Sequence, residues 1–129
     1  MKFNCKQISI SDDELSCTLT LSETEDNDTY IKKFNVGEIK ASIGQYILLQ
    51  RTYPEGEFEK DYYYIETSDL DKSGELKDFS INLYRTQFVI SFGNNLFEIY
   101  INVDDNKFEK LKQIIMIITN NRGQVNFYE

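Results

Sequence analysis

Three patterns in the sequence predict an α+β fold, mainly antiparallel β-sheet in hairpins and a meander, with one C-terminal amphipathic helix packed on the sheet and a short final strand. Leu15, Cys17, Leu19 and Leu21 alternate strictly with Ser16, Thr18, Thr20 and Ser22, the period of two that turns one strand face to a core and the other to water. Phe79-Ile81-Leu83, Phe88-Ile90-Phe92 and Phe97-Ile99-Ile101-Val103 repeat that period in three successive runs broken by short turns. At Asp104 or Asp105 the period changes: Phe108, Leu111, Ile114, Ile115 and Ile118 fall on one helical stripe.

Taken in order, Phe3 to Ile10 is strand-like but shifts phase between Cys5 and Ile8, as a bulge or twist would produce. Ser11-Asp12-Asp13-Glu14 is a polar reversal, so this strand and Leu15–Leu21 form a hairpin. Ser22 to Thr29 has no apolar residue and no base and reads as a solvated loop. Tyr30 to Val36 is weakly strand-like, and Gly37 to Gly44 suits strand or helix equally. Tyr46-Ile47-Leu48-Leu49-Gln50-Arg51 is nearly continuous in apolar residues, the pattern of a mid-sheet strand covered on both faces. Pro54 and Gly56 make a turn, and Tyr62 to Thr67 returns as a strand. Ser68 to Gly74 is a polar loop before the meander, whose turns fall at Arg85-Thr86 and Gly93-Asn94-Asn95. An aspartate N-cap opens a helix of about 14 residues, Asn120-Asn121 closes it, and Gln124 to Tyr128 is the final strand. Met116 and Ile117 point off the helix's main stripe, to be covered by the C-terminal strand or by a partner, with partial cover by the chain's own end the expected case.

The 129 residues suit one domain, 1–129, and no linker or repeat divides them. A formal charge of −8 opposes attraction to phosphate backbones and anionic lipid, so neither nucleic acid nor a membrane is an expected direct partner. With no histidine the chain lacks the usual base of Ser-His and Cys-His mechanisms, so it reads as a non-enzyme without catalytic residues. Six scattered glycines form no phosphate-binding loop, and no cofactor or metal is expected. Cys5 and Cys17 read as reduced thiols in strands, with a single bridge as the alternative. The start shows no signal-peptide run, and the longest apolar run, Ile114 to Ile118, is far short of a membrane span, so a cytoplasmic location is expected.

The informative feature is where the charge lies. Asp12 to Asp28 holds seven acids and no base, and Glu55 to Asp78 holds nine acids against three lysines. Loops that converge on one side of a sheet would steer a basic protein and mimic the polyanion it handles. The candidate partner-binding residues are Glu55, Glu57, Glu59 and Asp61, followed by Asp69, Asp71 and Glu75. Asp69, Asp71, Ser73 and Glu75 also place oxygens at alternate positions, which keeps open a small β-rich domain binding calcium or a small ligand. The twelfth position of an EF-hand, however, is Ser80.

The order YILLQR (Tyr46 to Arg51), an acidic turn, DYYYIE (Asp61 to Glu66), a polar loop, a hairpin pair and DDNKFEKLKQIIMII (Asp104 to Ile118) resembles the bacterial immunity protein 10 family. The likeness covers roughly residues 45 to 118, and the chain departs from it where the family often has a double glycine and this sequence has Gly74-Glu75-Leu76. The resemblance implies a cytoplasmic antidote that binds the C-terminal domain of a polymorphic or contact-dependent growth inhibition toxin, often a nuclease, and blocks it without catalysis. It also implies that Tyr46, Gln50, Arg51, Tyr64 and Glu66 keep the fold, since contact residues must follow each protein's own toxin; the acidic loops remain the contact candidates on charge alone.

Overall fold

The computed structural model describes residues 1–24, 44–56 and 59–128. Its strands are β1 (Lys2–Asn4), β2 (Gln7–Asp12), β3 (Ser16–Ser22), β4 (Tyr46–Thr52), β5 (Tyr62–Thr67), β6 (Gly74–Glu75), β7 (Phe79–Leu83), β8 (Gln87–Phe92), β9 (Asn95–Tyr100) and β10 (Gln124–Phe127), with helix α1 (Asp105–Thr119) before the last. The α+β class holds, and the strands divide between two five-stranded sheets. The first is ordered β1-β9-β8-β7-β10 and the second β2-β3-β4-β5-β6. Antiparallel pairing dominates, but β1 runs parallel to β9 and β10 parallel to β7. The expectations for residues 30–43 and for most of the Ser22 to Thr29 loop lie outside the described residues.

The phase shift after Cys5 has a cause other than a bulge. Phe3 pairs with Ile99 in the first sheet, while Ile8 pairs with Leu21 in the second. Cys5 and Lys6 form the link, and each backbone N–H is satisfied from a different sheet, Cys5 by the Tyr100 carbonyl and Lys6 by the Ser22 carbonyl, both at 2.8 Å. Both thiols are free, with Cys17 buried in β3 and Cys5 half-buried in the link rather than in a strand. Burial pushes the Cys17 thiol up to about 11, which keeps it protonated and unreactive.

Alternation does the rest. Cys17, Leu19 and Leu21 of β3 meet Ile47 and Leu49 of β4 and Ile65 of β5 on one face of the second sheet. Phe79, Ile81 and Leu83 meet Phe88, Ile90, Phe97 and Ile99 in the first. Both faces and the α1 stripe of Phe108, Leu111, Ile114, Ile115 and Ile118 join in one buried cluster. Strand β4 lies mid-sheet as expected but is covered on one face only, with Ile47 and Leu49 buried and Leu48 half-buried beside Tyr46 and Gln50 on the outer face; α1 packs against β3 and β4. The Asp104 carboxylate accepts from Lys107 N–H at 2.7 Å to cap α1, and Asn120 ends it in the left-handed conformation. No helix among the described residues is long and apolar enough to cross a membrane.

Candidate protein-binding surface

Two acidic segments meet at one end of the second sheet. In the β2–β3 turn, Asp13 Oδ1 accepts from the N–H groups of Leu15 (2.8 Å) and Ser16 (3.0 Å), and these bonds hold its carboxyl below the usual range. The turn lifts Leu15 out of the strand, so its side chain is 60% exposed rather than in the core. Strict alternation could not reveal this, because a turn bond and not hydropathy decides where β3 starts. The β4–β5 loop lies against this turn: Tyr53 N–H donates to Leu15 O at 2.9 Å, and the Tyr53 hydroxyl donates to Asp12 Oδ1 at 2.8 Å. Burial, then that bond, pushes the Tyr53 phenol up to about 12. Within the loop, Glu59 Oε2 accepts from Glu55 N–H at 2.9 Å.

This end therefore holds Asp12, Asp13, Glu14, Glu55 and Glu59 together with exposed Leu15, and exposed Tyr62 starts β5 there. Asp61 shares the location but not the role. Its carboxylate holds the Arg51 guanidinium at 2.5 Å, both side chains are about one-fifth exposed, and Arg51 Nη1 also donates to Ile117 O at 2.8 Å. That pair ties β4 and the β5 entrance to the last turn of α1, so Asp61 is a tether. Glu57 lies outside the described residues.

Asp69 and Asp71 sit at the opposite end, beside the β3–β4 entrance, where Ser68 N–H donates to Tyr46 O at 3.1 Å. The loop there contains a 3-10 turn, Leu70–Lys72. Asp69 caps it by accepting from Asp71 N–H at 3.2 Å and lies 3.8 Å from the Lys72 ammonium. Glu75 stands opposite Tyr64 in β6 and pairs with Lys77 at 3.4 Å. The six described candidates are thus spread over two ends and an edge of one sheet. Two of the four oxygens in the calcium reading serve the turn: Ser73 Oγ accepts from Thr67 N–H at 3.0 Å, and Asp69 is a cap. Among the described residues no three Cys, Asp or Glu side chains gather to hold a metal ion.

The outer face of the second sheet carries a bonded polar network. Glu66 accepts from the Tyr46 hydroxyl at 2.7 Å and the Tyr64 hydroxyl at 3.1 Å, and Gln50 donates to Thr18 at 3.0 Å. Burial and the Glu66 carboxylate push the Tyr46 phenol up to about 12. With Arg51, all five residues that the resemblance assigns to the fold are committed to bonds within the chain.

No family model matches the chain, and no curated protein or solved structure matches it. The likeness to immunity protein 10 therefore rests on the sequence segments alone.

Proposed function

We propose that this chain is an immunity protein that binds and neutralises a basic toxin domain, of nuclease type, through the acidic end of its second sheet. The observation that carries the reading is the meeting of the β2–β3 turn and the β4–β5 loop, which puts Glu14, Glu55 and Glu59 at the same end of the sheet as exposed Leu15. Arg51 is held by Asp61, which leaves Lys60 as the base on the described part of this end. An apolar tip within a charged rim suits protein recognition: the rim steers the encounter, and the tip supplies contact area that is desolvated on docking. The sequence likeness supplies the partner's class, and catalysis has no part in the proposal. The expected location is the cytoplasm, where the toxin acts.

The test uses a basic toxin domain of nuclease type as the probe, with association kinetics followed at low and physiological salt. The triple variant Glu14→Lys, Glu55→Lys, Glu59→Lys should slow association by about tenfold or more at low salt and blunt the salt dependence. Leu15→Ser should instead speed dissociation. Asp61 is left intact because its loss would disturb the fold. Unchanged rates in both variants would exclude this end as the contact surface.

A further inference from the structure

Strand β10 is the edge of the first sheet, and its pairing fixes which way its backbone points. Tyr128 N–H donates to Leu83 O at 2.8 Å, so alternation along the parallel β10–β7 pair turns the Asn126 and Gln124 backbone groups inward as well. The N–H and C=O groups of Val125 and Phe127 then face outward, and among the described residues no strand pairs with that side. Edges of this kind are normally guarded by lysine, proline or a bulge, and Gln124-Val125-Asn126-Phe127 has none of these.

Beside the edge runs an apolar groove between β10 and α1. Its floor is Met116, Ile117 and Phe127, with Met116 52% exposed, so the chain's own end covers the helix only in part. Glu109 lies at the end of the groove near the helix start. Past Met116 an adjoining hollow is lined by Thr119, Val125 and Arg122. The Arg122 guanidinium stacks 4.0 Å from the Tyr63 ring centre, and its Nη1 is buried without a hydrogen-bond partner. Glu109 binds Lys112 through Oε1 at 2.9 Å. The surface thus has the Glu109–Lys112 pair at one end, the Arg122 guanidinium at the other and an apolar middle.

We infer that this face binds a second copy of the chain about a two-fold axis through Asn126. The axis sets Val125 of each copy against Phe127 of the other, a hydrogen-bonded antiparallel pair in which both outward N–H and C=O groups are exchanged. It continues the first sheet across both copies. Because α1 runs antiparallel to β10, the same rotation brings Glu109 of one copy toward Arg122 of the other, so the two charged ends complement each other and Met116 lies near the axis. On the opposite sheet face Asn126 donates to Asn82 at 3.1 Å, and its side-chain oxygen is placed to accept from Asn126 of the second copy. The contact uses a surface remote in function from the acidic end and does not depend on the toxin reading.

Sedimentation equilibrium of the full chain over a dilution series tests this. The wild type should approach the dimer mass as concentration rises. Val125→Pro removes an outward N–H while leaving the bonds to β7 in place, and Met116→Glu puts two carboxylates near the axis; each should weaken association by about tenfold or more with an unaltered circular dichroism spectrum. Glu109→Arg should also weaken it, and Glu109→Arg combined with Arg122→Glu should restore it. A wild type that stays monomeric throughout overturns the proposal, and so does a dimer that V125P and M116E leave equally stable.

Discussion

The two sheets share one core but carry charge differently. From Phe79 to Ile101 the first sheet has two charged residues, and both are paired across elements: Arg85 with Asp105 and Glu98 with Lys2. Its turns are short and its strands follow one another. The second sheet holds its acids in longer connections, several of them turned to water and one, Asp61, drawn inward by Arg51. The contrast separates a frame from a surface. Local alternation builds the β7–β8–β9 meander of the first sheet with little else, and the second sheet uses the same alternation as a platform for charge.

If the sheets are one folding unit despite that difference, removing core volume from either should cost about the same. Ile90→Ala in β8 and Ile65→Ala in β5 are each expected to lower stability by about 2–5 kcal/mol, within a single denaturant transition. Separate transitions reported by probes placed in the two sheets would break the comparison. A smaller effect sharpens the distinction within the second sheet. Arg51→Met should cost about 2 kcal/mol, because Asp61 loses its partner and Ile117 O its donor, whereas Glu55→Lys or Glu59→Lys should stay within about 0.5 kcal/mol. Urea unfolding of the three variants would show whether Asp61 is tether or rim. The smallest effect is a slope. The Tyr46 phenol sits near 10 in an open chain and at about 12 in the fold, so the folded state holds the proton longer. Stability is full below pH 10 and falls as pH rises towards 12. Tyr46→Phe should flatten that alkaline limb, and an unchanged limb would remove Tyr46 from the network's account.

Legibility in the sequence follows the same division. The β7–β8–β9 meander, the Asp104 cap and the α1 stripe were readable because each depends on neighbours a few residues away. The crossing at Cys5-Lys6 looks like a bulge because a change of sheet and an irregularity within a sheet produce the same change of phase. Strand β6 has two residues, too few for any period, and exists through Leu76 N–H donating to Tyr63 O and its pairing with β5. Of the candidate surface, the acidity of the β4–β5 loop was visible, but the neighbour that completes it was not. Leu15 counts as core by hydropathy, and only the Asp13 turn bonds expose it. The pairing of Asp61 with Arg51 was equally hidden, since a carboxylate in a row of four carries no mark of which one folds inward.

The parallel pairing of β1 with β9 also bears on the order in which the chain can assemble. Phe3 and Ile99 are neighbours in space but nearly the whole chain apart, and Met1 O accepts from Glu98 N–H at 2.9 Å. Closing a loop of that length carries an entropic cost that the β7–β8–β9 meander, built from adjacent strands, does not meet. The meander is therefore the cheaper place to start, and β1 docks only on an edge that already exists. Through the two-residue link that docking also aims β2 at the second sheet, so one late event closes a side of both layers.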